Sequence, residues 1–197
     1  MDRDDLQELH YITPIENIPS IMKYGILSHR RAKRLRHQSI AMEDIQGIRD
    51  GKSVPRGRRL HEYVNLYIHA RNPMMFKRRD RHQEISVLRI STDVLDLPNV
   101  VIADGNAASD YTAFWPSPRG LSHVNRDVVF AEYWTHTDPI EEWKHKRIKC
   151  AEVLVPDEVE PKFIIGVYVS CEDAKYAIER MGIALEITIN AHLFFQD

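Results

Sequence analysis

The nine residues Ile148–Pro156, IKCAEVLVP, predict a β-strand that ends at the proline. The rest of the predicted fold is arranged around this strand. Successive side chains of a strand point to opposite faces. The two faces here carry Ala151, Val153 and Val155, and Cys150, Glu152 and Leu154. Because both sets contain apolar residues, the stretch is typical of a strand that is covered on both sides.

Glu152 is a carboxylate among the apolar residues of this strand. Ionised groups are rarely buried without a partner. One interpretation is a residue at the strand edge that points to water or pairs with Lys149 or Arg147. The other is a functional carboxylate that a rigid element holds in place and whose surroundings set its strength.

Length and composition predict one globular domain over residues 1–197, with 43% hydrophobic and 28% charged residues. No apolar run is long enough for a membrane span, and the acidic segment Met1–Asp5 lacks the marks of a signal peptide. Two cysteines, Cys150 and Cys171, suggest no disulfide framework and no zinc-ligand spacing. We therefore expect a cytoplasmic monomer without a membrane segment or a metal site.

The charged residues are distributed unevenly along the chain. Fifteen Lys and Arg face five acids between Arg30 and Arg81, whereas three bases face nine acids from Cys150 to the end. A basic half on a chain of net charge -2 indicates a polyanionic partner over one face. The alternative is a set of solvated loops, of which Lys52–Arg59 is the most loop-like.

Periodicity and turn residues predict an α+β fold with no internal repeat or linker. A strand is predicted at Leu9–Ile12. A helix is predicted directly after it, because Thr13–Glu16 forms a capping box at the helix start and Gly25 is typical of a helix end. Further strands are predicted at Tyr63–Ile68, Ile85–Ile90, Val100–Ala103, Phe163–Val169 and Leu185–Ile189. Further helices are predicted at Arg30–Arg36, Glu43–Arg49, Val128–Trp134 and Cys171–Met181, and Gly105–Gly120 is predicted to be a loop.

Several separated pieces of the chain resemble the DarT family, toxins of toxin–antitoxin pairs that ADP-ribosylate single-stranded DNA with NAD. The pieces are Ile12–Ile21 with Gly25, Ser39-Ile40 leading to Arg49, Tyr67–Met74 and Ala151–Pro156. Each piece alone is weak, but together they span nearly the whole chain in order. The resemblance implies an ADP-ribosyltransferase-like fold, in which a split mixed β core surrounds an NAD cleft and helices lie at the periphery.

The resemblance also implies functional residues. It places the catalytic glutamate at Glu152 and the catalytic arginine at Arg49. The residues implied to bind NAD are His10, Tyr11, Ile12, Thr13, Arg49, Tyr67, His69, Arg71 and Met74. Family members often read His-Ile-Thr-His where this chain reads YITP, so the role of the family histidine stays open between His10 and Tyr11.

The implied acceptor is a base of single-stranded DNA, with thymine favoured, and the implied partner is a macrodomain antitoxin of the DarG type. The acceptor-recognition segment corresponds to His123–Cys150. Residues expected to contact nucleic acid are Arg56, Arg58, Arg59, Tyr111, His123, Lys144, Lys146 and Arg147. Two alternatives stay open: a transferase that modifies protein or RNA, and a nucleic-acid-binding module in which Glu152 is structural.

Overall fold

The computed structural model describes residues 1–35 and 43–196. The fold is organised around a mixed β-sheet. Eight strands form this sheet: β1 (Leu9–Pro14), β3 (Tyr63–Tyr67), β4 (Ile85–Ile90), β5 (Val101–Ala103), β6 (Phe114–Pro116), β7 (Glu152–Pro156), β9 (Ile164–Val169) and β10 (Ile187–Ile189). Their order across the sheet is β10-β9-β4-β1-β3-β7-β5-β6. Two short strands, β2 (Ile26–Leu27) and β8 (Glu158–Val159), pair separately.

Neighbouring strands of the large sheet run antiparallel, except for the parallel pair β9 and β10. Helices connect the strands: α1 (Ile18–Tyr24), α2 (His29–Ala32), α3 (Glu43–Gly51), α4 (Pro73–Phe76), α5 (Arg126–Phe130), α6 (Pro139–Lys149) and α7 (Glu172–Glu179). The chain is therefore α+β, as the sequence predicts. Within residues 1–35 and 43–196, no helix has the length and apolar character that a transmembrane span requires.

Strand β7 is buried on both faces, as its sequence predicts. Ala151, Val153 and Val155 belong to the main core, to which α1 and α7 also contribute. Leu154 faces the other side and packs in a smaller cluster with Ala103 and Ala107. Central position and double coverage make β7 a rigid element, because close-packed side chains restrict its movement from both sides.

The predicted capping box at Thr13 is wrong. Thr13 and Pro14 pair with Ser86 and Ile85 of β4, so the strand continues through Pro14. A 3-10 turn follows, and α1 begins only at Ile18. Sheet pairing has overridden a local helix signal here, as tertiary contacts often do.

Three other boundaries differ from the prediction. Ile148 and Lys149 end α6, so the strand begins at Glu152 rather than at Ile148. The helix predicted at Val128–Trp134 is α5, which Asn125 caps and which stops at Phe130. The loop predicted at Gly105–Gly120 contains β6.

Two segments of the N-terminal half also differ from the prediction. The helix predicted over Arg30–Arg36 is shorter, since α2 ends at Ala32. Lys52–Arg59, predicted as a mobile loop, is joined to itself by an isolated bridge between Ser53 and Arg59. Arg36 and the pair Ser39-Ile40, which belongs to the second DarT-like piece, lie outside the described residues.

Candidate active site

Three side chains predicted to be functional form a row across the sheet. His10 pairs with Tyr67, and Tyr67 pairs with Glu152, in the register of β1, β3 and β7. Paired residues of antiparallel strands project to the same face. With neighbouring strands about 5 Å apart, His10 and Glu152 therefore lie about 10 Å apart on one face.

Tyr11 projects to the opposite face of β1 and packs against the main core, where burial raises the pKa of its hydroxyl to about 12. His10, not Tyr11, thus shares a face with Glu152. This placement favours His10 for the role that the resemblance leaves open.

The sheet opens between β1 and β3. Strand β1 pairs with β4 along its whole length, from Leu9 with Ile90 to Pro14 with Ile85. Among the described residues, His10 and Tyr67 form the one pair that joins β1 to β3. Backbone groups beyond this pair are free of sheet pairing on that side, so the edge of β1 can accept an amide-bearing ligand.

Glu152 is held by an ion pair and by a backbone donor. Its Oε1 and Oε2 accept from Arg49 Nη1 at 3.3 and 3.1 Å, and Oε1 also accepts from Ala107 N at 3.1 Å. Glu152 and Arg49 are 1% and 6% exposed. Two charges so deeply buried require each other, because removing either leaves an uncompensated charge.

The alternative in which Glu152 pairs with Lys149 or Arg147 is wrong. Arg147 Nη1 pairs with Asp104 at 3.1 Å. The Lys149 ammonium donates to backbone carbonyls instead. Glu152 is a buried carboxylate that α3 and the loop after β5 hold on the sheet.

The loop after β5 reaches Glu152 because it packs closely on Arg147. Asn106 N donates to Arg147 O at 2.9 Å. A Cβ on Gly105 would lie 3.0 Å from Arg147 O, a tight contact with the backbone that favours glycine here. The next residue, Ala107, is thereby placed with its N–H on Glu152.

A second charged group lies behind His10. Glu8 Oε1 is 3.3 Å from His10 Nε2, and Arg89 Nε donates to Glu8 Oε2 at 2.7 Å. Burial alone would raise the pKa of Glu8, but hydrogen bonds from His10, Arg89 and Tyr168 hold it at about 2. His10 Nδ1 lies 3.2 Å from Ile68 O, so both ring nitrogens have partners.

The segment after β3 forms a tight turn. Asn72 caps α4 by accepting from Met74 N at 2.9 Å and Met75 N at 3.1 Å. The Arg71 guanidinium donates to His192 O and lies 4.0 Å from the centre of the Phe195 ring. Burial is the main cause that lowers the pKa of His69 to about 3, so this ring is neutral at pH 7.

A cleft of about 660 Å³ opens beside these residues and combines aromatic with cationic side chains. Its aromatic lining is Phe76, Tyr133, Trp134, Trp143 and Phe195, and its cationic lining is Arg71, Lys77, Arg79, Lys146 and Arg147. Cys150, two residues before Glu152, also lines it. Flat rings and positive charge together suit a polyanion that carries planar bases.

The residues expected to contact nucleic acid do not lie together. Lys146 and Arg147 line the cleft, and Tyr111 packs edge-on against Trp143 with ring centres 5.2 Å apart. Lys144 pairs with Glu141 on the surface of α6. His123 stacks on Trp115 at 3.6 Å.

The basic loop with Arg56, Arg58 and Arg59 lies elsewhere. Arg58 pairs with Asp157 at 2.6 Å. Asp157 follows the far end of β7, about 16 Å along the strand direction from Glu152. This loop does not line the cleft. A nucleic acid bound in the cleft would have to extend beyond it to contact these arginines.

Sequence reasoning missed several residues of the site. Ala107 acts through its backbone, so its side chain gives no signal. Phe76 and Phe195 come to the cleft from distant parts of the chain. Glu8 had a usable signal, because residues two apart in a strand share a face and Glu8 precedes His10 by two. Within the part of the chain that the structure describes, no His, Cys, Asp and Glu cluster could hold a metal ion.

The sheet that opens between β1 and β3, with a buried glutamate on the next strand, defines an ADP-ribosyltransferase-like fold. The sequence profile of a family described as "DarT: ssDNA thymidine ADP-ribosyltransferase" matches residues 10–195. This chain belongs to the DarT family.

Similar proteins occur in Thermosipho africanus and in Thermus. A DNA ADP-ribosyl transferase–DNA ADP-ribosyl glycohydrolase fusion protein of Thermosipho africanus is 33% identical over 83% of this chain and 42% of its own length. The structure of Thermosipho africanus DarTG with ADP-ribose has a TM-score of 0.83 and 28% identity, covering 96% of this chain and 51% of that one. This chain thus spans about half or less of these two relatives.

A third likeness concerns the fold alone. The structure of Thermus sp. 2.9 DarT in complex with ADP-ribosylated ssDNA has a TM-score of 0.84 at 21% identity. The likeness covers 98% of this chain and 99% of the Thermus sp. 2.9 chain.

The Glu8 network predicts a specific loss of stability in acid. The pKa of Glu8 is about 2 in the folded chain and 4.5 without its partners, so its contribution is present above pH 4.5 and is lost as pH falls toward 2. The difference in unfolding free energy between wild type and Glu8→Gln should shrink over that interval. Urea unfolding at stepped pH measures it, with Glu172→Gln as the exposed control. A difference that stays constant with pH would contradict the assignment.

Proposed function

We propose that this chain is an NAD-dependent mono-ADP-ribosyltransferase that modifies a thymine base of single-stranded DNA. The observation that carries the proposal is the buried Glu152, fixed by Arg49 and Ala107 beside the opening between β1 and β3. We further propose that residues 1–197 act as one domain.

NAD supplies the ADP-ribosyl group and leaves nicotinamide behind. The residues around the opening fit such a substrate. The unpaired edge of β1, at Tyr11–Thr13, offers backbone groups for the nicotinamide amide, with His10 beside it. Arg71 is a buried residue that lines the cleft, and a guanidinium can bind a pyrophosphate through two parallel hydrogen bonds.

Glu152 supplies negative charge where positive charge develops. Cleavage of the bond between nicotinamide and ribose leaves the sugar with oxocarbenium-like character, which carboxylates stabilise in glycosidases. A carboxylate that is already oriented needs little reorganisation during the reaction. Arg49 keeps Glu152 in place, and its partly used guanidinium is available to the substrate.

The acceptor must present a ring nitrogen to the ribose carbon. This nitrogen forms the new bond to the ribose carbon as the bond to nicotinamide breaks, nicotinamide leaves as a neutral molecule, and the ring proton is released to the solvent. The base therefore has to be unstacked or single-stranded. In the cleft, Tyr133 and Trp143 are 71% and 46% exposed and can stack on bases. Lys146 and Arg147 can neutralise the neighbouring phosphates.

The proposal includes a biological setting. The Thermosipho africanus relative joins a transferase to a DNA ADP-ribosyl glycohydrolase. We infer that this chain is the toxin of such a pair, a cytoplasmic monomer whose partner is a macrodomain antitoxin of the DarG type that removes the mark.

Glu152→Gln tests the catalytic role with little change in size. The variant should unfold at a lower temperature than wild type, because Arg49 loses its counter-charge, but it should still fold and bind NAD. If the negative charge stabilises the reacting ribose, the rate of DNA modification should fall about 100-fold or more. Single-turnover assays with a thymine oligonucleotide measure the rate. The control is Glu158→Gln, an exposed residue that pairs with Arg31. Loss of the thermal unfolding transition in Glu152→Gln would instead make Glu152 a structural residue.

Matched oligonucleotides test the acceptor. A duplex hides the ring nitrogen in a base pair, and flipping a base costs a few kcal/mol. Single strands with thymine should therefore be labelled well ahead of the same sequence with its complement, and ahead of strands without thymine. Equal labelling of duplex and single strand would refute the unstacking argument.

A further inference from the structure

Lys149 is a lysine whose side chain is completely buried, at 0% exposure. Its ammonium donates to the carbonyls of Val129, at 2.9 Å, and Ala131, and lies 3.5 Å from His69 Nδ1. The described residues give it no carboxylate partner. Burying an ammonium is costly unless its hydrogen bonds are made. Here two backbone carbonyls accept from the ammonium, and His69 Nδ1 is its third polar neighbour.

The three neighbours of the ammonium come from different parts of the chain. Val129 and Ala131 lie at the end of α5, where the chain enters the segment with Tyr133 and Trp134. His69 follows β3. Lys149 itself ends α6, three residues before Glu152. A single charged group thus connects the aromatic wall of the cleft to the strand that carries the glutamate.

Trp134 strengthens this connection. Its ring centre lies 5.7 Å from Lys149 Nζ, within the range of a cation–π contact. The same ring packs edge-on against Phe76 and Phe195, with ring centres 5.8 Å apart in both cases. The position of this wall therefore depends on where the ammonium lies.

We propose that Lys149 is a positioning residue for the acceptor: it fixes the Tyr133–Trp134 wall of the cleft relative to Glu152. The inference rests on the proposed function, and it assigns Lys149 to the DNA half of the reaction rather than to the NAD half. A misplacement of about 1 Å in such a wall can cost a large factor in transfer.

The surroundings of Lys149 make its charge sensitive to pH. Burial is the main cause that lowers its pKa to about 8, Arg71 lowers it further, and Cys150 acts in the opposite direction. His69 is neutral, His145 lies nearby on α6, and α5 presents only carbonyls. As pH rises through 8, the ammonium loses a proton, and its hydrogen bonds to the two carbonyls weaken.

The test compares Lys149→Met, which keeps an unbranched side chain that is one atom shorter and uncharged, with the same change at Lys162, an exposed lysine paired with Glu160. Lys149→Met should raise the KM for a thymine oligonucleotide about tenfold to 100-fold. Lys149→Met should hydrolyse NAD without DNA at the wild-type rate. Lys162→Met should match wild type in both reactions. Wild-type transfer to DNA should decline from about pH 7 to about pH 9, and NAD hydrolysis should not.

An unchanged KM, or an equal loss of NAD hydrolysis and transfer, would overturn the proposal. If Lys149→Met does not fold, the wild-type pH profiles decide, and parallel profiles for transfer and hydrolysis count against it. A wild type that labels no oligonucleotide overturns the proposed function itself. A wild type that labels DNA with a fully active Lys149→Met overturns only the role of Lys149.

Discussion

The buried ion pair between Arg49 and Glu152 is the interaction on which the site depends. Either charge alone would destabilise the fold in this position, because a buried ion without its partner has an uncompensated desolvation cost. The pair therefore couples helix α3, which supplies Arg49, to the central strand β7, which supplies Glu152. Ala107 adds a third element through its backbone, and its placement depends on the close contact of Gly105 with Arg147. The pair thereby fixes the position of the carboxylate relative to the rest of the sheet.

The sheet supplies the second constraint. Strand β1 pairs fully with β4, but within residues 1–35 and 43–196 it meets β3 only at His10 and Tyr67, so a rigid pairing and an open edge lie on the two sides of β1. His10 and Glu152 face this opening from either side of Tyr67. Cys150, two residues before Glu152, lines the cleft that also contains Tyr133, Trp134 and Trp143.

Much of this arrangement follows from local sequence. Apolar residues on both faces of β7 predict its double burial. The resemblance to DarT singles out Glu152 and Arg49, and the structure places the two in contact. Long-range pairing accounts for what local patterns miss. Thr13 carries a helix-cap signal that pairing with β4 overrides, and α6 was missed although Asp138 and Pro139 provide its start signals. Phe195 and Ala107 reach the site only through tertiary packing, which no spacing in the sequence encodes.

The central claim is that the Glu152 site transfers ADP-ribose from NAD to single-stranded DNA. Incubation of the wild-type chain with NAD and a mixture of single-stranded DNA, RNA and protein, followed by intact-mass analysis, tests it most directly. The account predicts that the mass of one ADP-ribosyl group appears on thymine-containing DNA alone and is lost in Glu152→Gln. A mass shift on RNA or protein alone, or NAD that remains unconsumed, would contradict it.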